Sequence, residues 1–343
     1  MDKHVLFMKR CFDLARMAAG NVSPNPMVGA VIVYNNKIIG EGFHQRYGEA
    51  HAEVNAIKSV RKKDLHLLHQ STIYVSLEPC CFYGNTPPCS KLIIENNIPT
   101  IVISCLDSTP SVAGKSVKLL HDAGREVIVG VLRNEGAKLF SARNSLVSNN
   151  RPYTILKYAK SADGFIGQKN KQVWLTNKFS KRLVHKWRSE VDAILVGTNT
   201  AKTDNPQLTN RLYFGKSPLR IAIDFNATIP NAFALLDQQT PTWIINNSNK
   251  NISKNNLQYI SLPQGKEMIP ELLRLLAKEN KSSLLVEGGA NLIHQFIDLG
   301  LWDEARVLQS PILLNNGISA PIIKKTLQKE VHLGTNKLRV YYN

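Results

Sequence analysis

The chain is 343 residues long, 43% apolar and 20% charged, a balance that supports packed cores and excludes disordered, collagenous and low-complexity readings. At about 100–200 residues per domain it has room for two. Its 43 Lys+Arg against 26 Asp+Glu leave +17, a field suited to an anionic partner such as nucleic acid, an acidic lipid surface or a phosphorylated small molecule, without choosing among them.

In chain order, Val5, Met8, Phe12, Ala15 and Ala19 recur at 3–4 spacing and predict an amphipathic helix. Charges at Asp2, Lys3, Lys9, Arg10 and Asp13 exclude a secretory signal there. Val28–Tyr34 and Lys37–Phe43 read as strands of a hairpin turning at Asn35-Asn36. A helix is expected over His51–Val60, a buried strand over Thr72–Leu77, a helix over Cys89–Asn96 and a strand over Thr100–Leu106. A helix over Lys115–Ala123, a strand over Glu126–Val131 and a helix over Asn134–Val147 follow. The polar stretch Ser148 to Pro152 marks a boundary, with domains over 1–148 and 149–343. Alternation then restarts: strand Tyr153–Ala159, helix Lys178–Ser189, and strands Ala193–Val196, Arg220–Asp224 and Thr242–Ile245. Helix Met268–Glu279, strand Ser283–Glu287 and helix Ala290–Leu299 come next, with strands at Glu304–Leu308 and Leu338–Tyr342. Both halves read as α/β, the first with parallel last strands.

The basic excess is uneven. Residues 1–150 hold 17 basic and 12 acidic groups, residues 151–343 hold 26 and 14, and Arg151 to Arg188 hold ten basic residues and one acid, Asp163. No apolar run reaches the roughly 18–20 residues that span a bilayer. The odd set of five cysteines argues against a disulfide framework and for a cytoplasmic protein.

Three of the cysteines fall within ten residues. His51, Cys80 and Cys89 supply three borderline or soft ligands, and zinc with three protein ligands keeps a fourth position for water, whose pKa it lowers toward neutrality. Glu53, two residues past His51 at the same helix start, is placed to move a proton between that water and a leaving amine. Cys80, behind Pro79, is preferred as ligand over its neighbour Cys81, and Cys11 and Cys105 read as small core residues. The order H-x-E, P-C, C is similar to the nucleobase-deaminase signature, with eight residues between Cys80 and Cys89 where that signature has two. A structural zinc is the plainer alternative.

Ser23 to Gly29 (SPNPMVG), Gly40 to His44 (GEGFH), Gly48 to Val54 (GEAHAEV), Leu77 to Cys80 (LEPC) and Gly84 to Cys89 (GNTPPC) resemble the bifunctional riboflavin-biosynthesis deaminase/reductase family. Tyr153 to Gly164, Gly197 to Thr200 (GTNT), Asp204 to Pro206 (DNP) and Val286 to Gly289 (VEGG) resemble its C-terminal half, so the likeness spans nearly the whole chain. It implies a cytidine-deaminase-like three-layer α/β/α domain followed by a dihydrofolate-reductase-like α/β domain. It also implies zinc-dependent deamination of 2,5-diamino-6-(5-phosphoribosylamino)pyrimidin-4-one, then NADPH-dependent reduction of the ribosyl side chain to ribityl. By position, Asn25 and His44 would line the deaminase pocket. Ala159, Trp174, Thr200, Asp204 and Gly289, Ala290, Asn291 and Leu292 would hold NADPH; Gln172, Arg188, Leu208, Arg211 and Glu287 would contact substrate. The chain departs from the family pattern at Phe82, Asn85, Ser108, Thr109, Gln172 and Asn205. A homo-oligomer paired through the reductase half, and no nucleic-acid or membrane partner, complete the expectation. An RNA-editing deaminase with a basic appendage and a non-catalytic zinc-stabilised protein are weaker alternatives. The second half lacks an aromatic RNA platform, and Glu53 and all three ligands are present.

Overall fold

The computed structural model describes residues 2–83, 87–110, 112–169, 173–247 and 253–343. The chain divides into two units, Met1–Asn149 and Asn150–Asn343. In the first, α1 (Lys3–Arg16) is capped by the Asp2 carboxylate, which accepts from the His4 N–H at 2.9 Å. Its buried stripe is Phe7, Met8, Cys11, Phe12, Leu14 and Ala15. The expected run to Ala19 stops at Arg16, and Ala19 lies in the following turn.

β1 (Gly29–Tyr34) and β2 (Lys37–Phe43) form the hairpin, with Asn35 and Asn36 at φ 46° and 59°. A left-handed residue other than glycine, asparagine or aspartate costs about 1–2 kcal/mol. Asn36→Val is therefore expected to destabilise by about that amount and Asn36→Gly to stay within about 0.5 kcal/mol, as measured by urea unfolding. Equal midpoints for both variants would contradict this.

After the hairpin come α2 (Ala52–Ser59), β3 (Thr72–Leu77), α3 (Cys89–Glu95), β4 (Thr100–Cys105), α4 (Lys115–Asp122) and β5 (Glu126–Val129). The helix expected over Asn134–Val147 is two, α5 (Arg133–Leu139) and α6 (Ser141–Asn149). The Ser141 hydroxyl donates back to the Lys138 carbonyl at 2.8 Å, and Phe140 between the helices is buried with Leu77 and Cys105.

The five-stranded sheet runs β2-β1-β3-β4-β5, with β1 antiparallel to both neighbours and β3, β4 and β5 parallel. Strand side chains alternate in direction, so each strand feeds two layers. Ala30, Ile32, Ile73 and Ile101 pack against Ala56 and Ile57 of α2, Ile93 of α3 and Leu120 of α4, while Val31, Val33, Tyr74 and Val102 pack against α1. The result is the three-layer α/β/α arrangement.

The second unit contains β6 (Tyr153–Lys160), β7 (Phe165–Gly167), α7 (Lys178–Glu190), β8 (Ala193–Val196), α8 (Thr198–Asp204), β9 (Leu219–Ile223) and β10 (Thr242–Asn246). β11 (Ser253–Lys254), β12 (Leu257–Ser261), α9 (Met268–Lys278), β13 (Ser283–Val286), α10 (Ala290–Asp298), β14 (Glu304–Gln309), β15 (Ile318–Ser319), β16 (Leu327–Leu333) and β17 (Asn336–Tyr342) follow. Its main sheet runs β11-β12-β10-β9-β8-β13-β6-β14-β17-β16, parallel from β12 to β14 with antiparallel edges. Leu156, Tyr158 and Ile221 face α9 and α10, and Ile155, Ile194 and Val196 face Val184 and Trp187 of α7.

β16 was not expected because it is an edge strand whose residues are mostly exposed, so no apolar alternation marks it. The short, polar α8 buries one residue, Ala201. Arg220, wholly buried, donates to Thr242 Oγ1, the carbonyls of Gln207, Ala234 and Thr240, and Asp237. It anchors the segment that carries Leu208.

Candidate active sites

In the first unit, Gly40 and Gly42 of β2 bring α2 close. A Cβ on Gly42 would lie 2.4 Å from the Ala56 nitrogen. His51 is the N-cap of α2, and its side chain makes no capping bond. Its Nδ1 instead lies 3.5 Å from Cys80 Sγ and 3.4 Å from Cys89 Sγ. Cys80 follows β3 by three residues, and Cys89 opens α3 with its N–H donating to Cys80 Sγ at 3.3 Å. The three donor atoms lie within 4.8 Å of one another, and Cys81, the possible competitor, is not among them.

The set fits zinc. Two ligands on a tetrahedral ion, with bonds of about 2.3 Å to sulfur and 2.05 Å to nitrogen, stand about 3.5 Å apart. A hydrogen bond from the Cys89 thiol, then one from His51, holds the Cys80 thiol well below its ordinary range, favouring the ligating thiolate.

Glu53 is buried on the first turn of α2, and burial lifts its carboxyl to about 7, against the pull of His51. A carboxyl poised near neutrality suits proton transfer in both directions. Glu53 shares a cavity of about 300 Å³ with Asn25, His44, His51 and Cys80. His44, buried, lies 3.1 Å through Nδ1 from the Ala50 carbonyl and 3.2 Å through Nε2 from the Asn25 amide nitrogen. Burial foremost lowers its pKa, so it is neutral, donating from Nδ1 and accepting at Nε2.

Sequence reasoning did not single out Glu78 or Arg143. The Glu78 carboxylate accepts from the N–H groups of Asp107, Gly114 and Ser116 and from the Ser116 hydroxyl, shaping the loop that brings Asp107, Thr109 and Val112 to the cavity. An acid directly before Pro79-Cys80 was the available signal. Phe82, Asp107 and Thr109 line the cavity; Ser108 donates to Asn144 instead, and Asn85 lies outside the described residues.

In the second unit, a cavity of about 980 Å³ opens at the carboxyl ends of β6, β8 and β13, where parallel sheets place ligands. Ala159, Trp174, Thr200, Asp204, Leu208 and Arg211 all line it. So do Arg188, Glu287 and the run Gly289, Ala290, Asn291 and Leu292; Gln172 lies outside the described residues. A Cβ on Gly289 would stand 3.0 Å from Thr200 Oγ1, so glycine lets α10 and α8 meet at the wall. The free N–H groups at the start of α10 offer a place for phosphate.

Glu287, buried, accepts from Arg188 Nε at 2.9 Å and Nη2 at 3.0 Å and from Lys157 Nζ at 3.2 Å. Burial alone would raise its pKa; the Arg188 and Lys157 charges overcome this and bring it down to about 2. Lys157 and His185 were not foreseen. A lysine in the middle of β6, between Leu156 and Tyr158, was a legible signal. His185 sits on the buried stripe of α7, accepts from the Arg211 N–H at 2.9 Å, and is lowered to about 4 by burial and then by Arg188 and Arg211. Of the ten basic residues between Arg151 and Arg188, only Lys157, Lys181 and Arg188 line the cavity among those described. Arg151 is paired with Asp303.

Residues 1–105 match the family model of the cytidine and deoxycytidylate deaminase zinc-binding region, and residues 152–343 match that of the RibD C-terminal domain. The riboflavin biosynthesis protein RibD of Bacillus amyloliquefaciens is 36% identical over 326 residues, 92% of this chain and 87% of that protein. The crystal structure of a diaminohydroxyphosphoribosylaminopyrimidine deaminase/5-amino-6-(5-phosphoribosylamino)uracil reductase from Thermotoga maritima superposes with a TM-score of 0.91 at 33% identity, covering 99% of this chain and 98% of that one. Acinetobacter baumannii RibD gives 0.88 at 27%, with the same coverage.

Proposed function

Since the chain belongs to the RibD family and is a bifunctional deaminase and reductase of riboflavin biosynthesis, we propose the following division of labour between its two cavities. The first unit hydrolytically deaminates 2,5-diamino-6-(5-phosphoribosylamino)pyrimidin-4-one. The second reduces the ribosyl side chain of the product to ribityl with NADPH. The observation that carries the first assignment is the His51–Cys80–Cys89 cluster at tetrahedral spacing beside the buried Glu53.

His51, Cys80 and Cys89 hold zinc, which when bound supplies the Lewis acidity that makes water a nucleophile near neutral pH. Glu53 takes the proton from water and delivers it to the departing amine, so ammonia leaves neutral. Asn25 and neutral His44 shape the wall against which the ring sits. In the second unit, NADPH when bound supplies the hydride. Ala159, Trp174, Thr200, Asp204 and Gly289 through Leu292 hold the cofactor, while Arg188, Arg211, Leu208 and Glu287 face the substrate. The basic groups give the phosphates of both ligands a counter-charge.

All five cysteines are free, and no helix among the described residues is long and apolar enough to cross a membrane. The free thiols support a reducing and hence cytoplasmic setting. The exposed Phe214 on the second unit is compatible with pairing of reductase halves, which sedimentation measures directly.

The test is an assay of the full chain in which ammonia release and NADPH oxidation are followed separately. Ammonia release needs no NADPH, NADPH oxidation follows the deaminated product, and NADPH binds more tightly than NADH because the lining cations meet its extra phosphate. Equal affinity for the two nicotinamides at low salt would count against the cofactor assignment.

A further inference from the structure

We propose that Arg143 of α6 binds the phosphate of the pyrimidine substrate in the first unit's cavity. This deepens the deaminase reading and rests on it. The other charged or titratable side chains lining that cavity among the described residues are His44 and His51, Tyr47, the zinc-ligand candidate Cys80, and the acids Glu49, Glu53, Glu78 and Asp107. An anionic substrate entering this set meets carboxylates on several sides and, at Arg143, a single guanidinium. Like charges repel and a guanidinium donates bidentately to phosphate oxygens, so the phosphate end is confined to the α6 side.

Arg143 is positioned for this. Its Nη2 donates to Thr109 Oγ1 at 3.4 Å, a long contact that leaves the rest of the fork available, and no carboxylate pairs with it among the described residues. Two further bonds fix the place of the side chain. The Ser108 hydroxyl donates to Asn144 Oδ1 at 2.8 Å, tying α6 to the loop, and the Thr109 N–H donates to Asp107 Oδ1 at 2.7 Å, holding the loop's turn. Such stitching aims a cation into a cavity whose zinc end is already set by His51, Cys80 and Cys89. Ring chemistry and phosphate recognition then fall to different elements, α2 and α3 for the first and α6 for the second.

The test uses the full zinc-loaded chain as wild type, Arg143→Gln and Arg143→Lys, with ammonia release measured on the phosphorylated pyrimidine and on its dephosphorylated counterpart. In Arg143→Gln, KM for the phosphorylated pyrimidine rises about 10- to 100-fold, kcat moves little, and the preference for the phosphorylated form falls by the same factor. Arg143→Lys restores part of the preference, because the charge returns without the fork. An unchanged KM and preference in Arg143→Gln would overturn the proposal. So would an equal fall in kcat on both pyrimidines, which marks a structural role of α6. If wild type releases ammonia from neither pyrimidine, the deaminase reading itself fails and this assignment with it.

Discussion

Glu53→Gln is expected to slow ammonia release by about 10²–10⁴-fold while zinc stays bound at one ion per chain. The substitution keeps the size and shape of the side chain at the first turn of α2 and leaves His51, Cys80 and Cys89 untouched. What it removes is a group whose pKa burial has brought to about 7, near the pH at which it must both accept and return a proton. Cys89→Ser supplies the complementary result: zinc is lost and deamination with it, because two ligands hold the ion poorly. NADPH oxidation on ready-made deaminated product serves as the control and should persist in both variants. Turnover of Glu53→Gln near that of wild type would remove Glu53 from the mechanism, and an active, zinc-free Cys89→Ser would remove the metal.

The second large effect lies at Glu287. Its carboxylate pairs with both Arg188 and Lys157 in a place where all three side chains are mostly buried, at 8%, 12% and 14% exposure for Glu287, Arg188 and Lys157. Glu287→Gln leaves two cations without their counter-charge, and breaking a buried pair in this way costs about 3–5 kcal/mol. The reductase cavity loses its buried, ion-paired carboxylate, and kcat/KM for reduction is expected to fall about 10²-fold.

The pH dependence has a definite sign. Because folding depresses the Glu287 pKa from 4.5 to about 2, its contribution to stability is present above pH 4.5 and is lost as pH falls from there toward 2. Denaturant unfolding should therefore show wild type well above Glu287→Gln at neutral pH and the two converging below pH 4.5. A gap that does not narrow on acidification would mean that Glu287 does not act as an ionised partner.

The zinc cluster was legible because its chemistry is written locally. A histidine and a glutamate sit at one helix start, Cys89 opens the next helix and Cys80 follows a strand by three residues behind a proline, so residue type and spacing locate them. The strand–helix alternation of both units was visible for the same reason. β16, the edge pair of β11 and β12, and the short α8 were not, since exposed edges and one-turn polar helices carry little hydrophobic pattern. The break at Phe140 escaped too, because it depends on a side chain finding Leu77 and Cys105 from elsewhere in the unit.

By itself, the sequence determined the class of chemistry: a metal cluster, a proton carrier, two α/β halves and an excess of positive charge. Tertiary structure decided which charges matter. Lys157 and Arg188 converge on Glu287 from β6 and α7, Arg143 reaches the first cavity from α6, and Arg151 is spent on Asp303. The reason is physical. A ligand that binds a metal declares itself by residue type and spacing, whereas the role of a lysine or arginine depends on burial and on the carboxylates around it, which only the folded chain brings together.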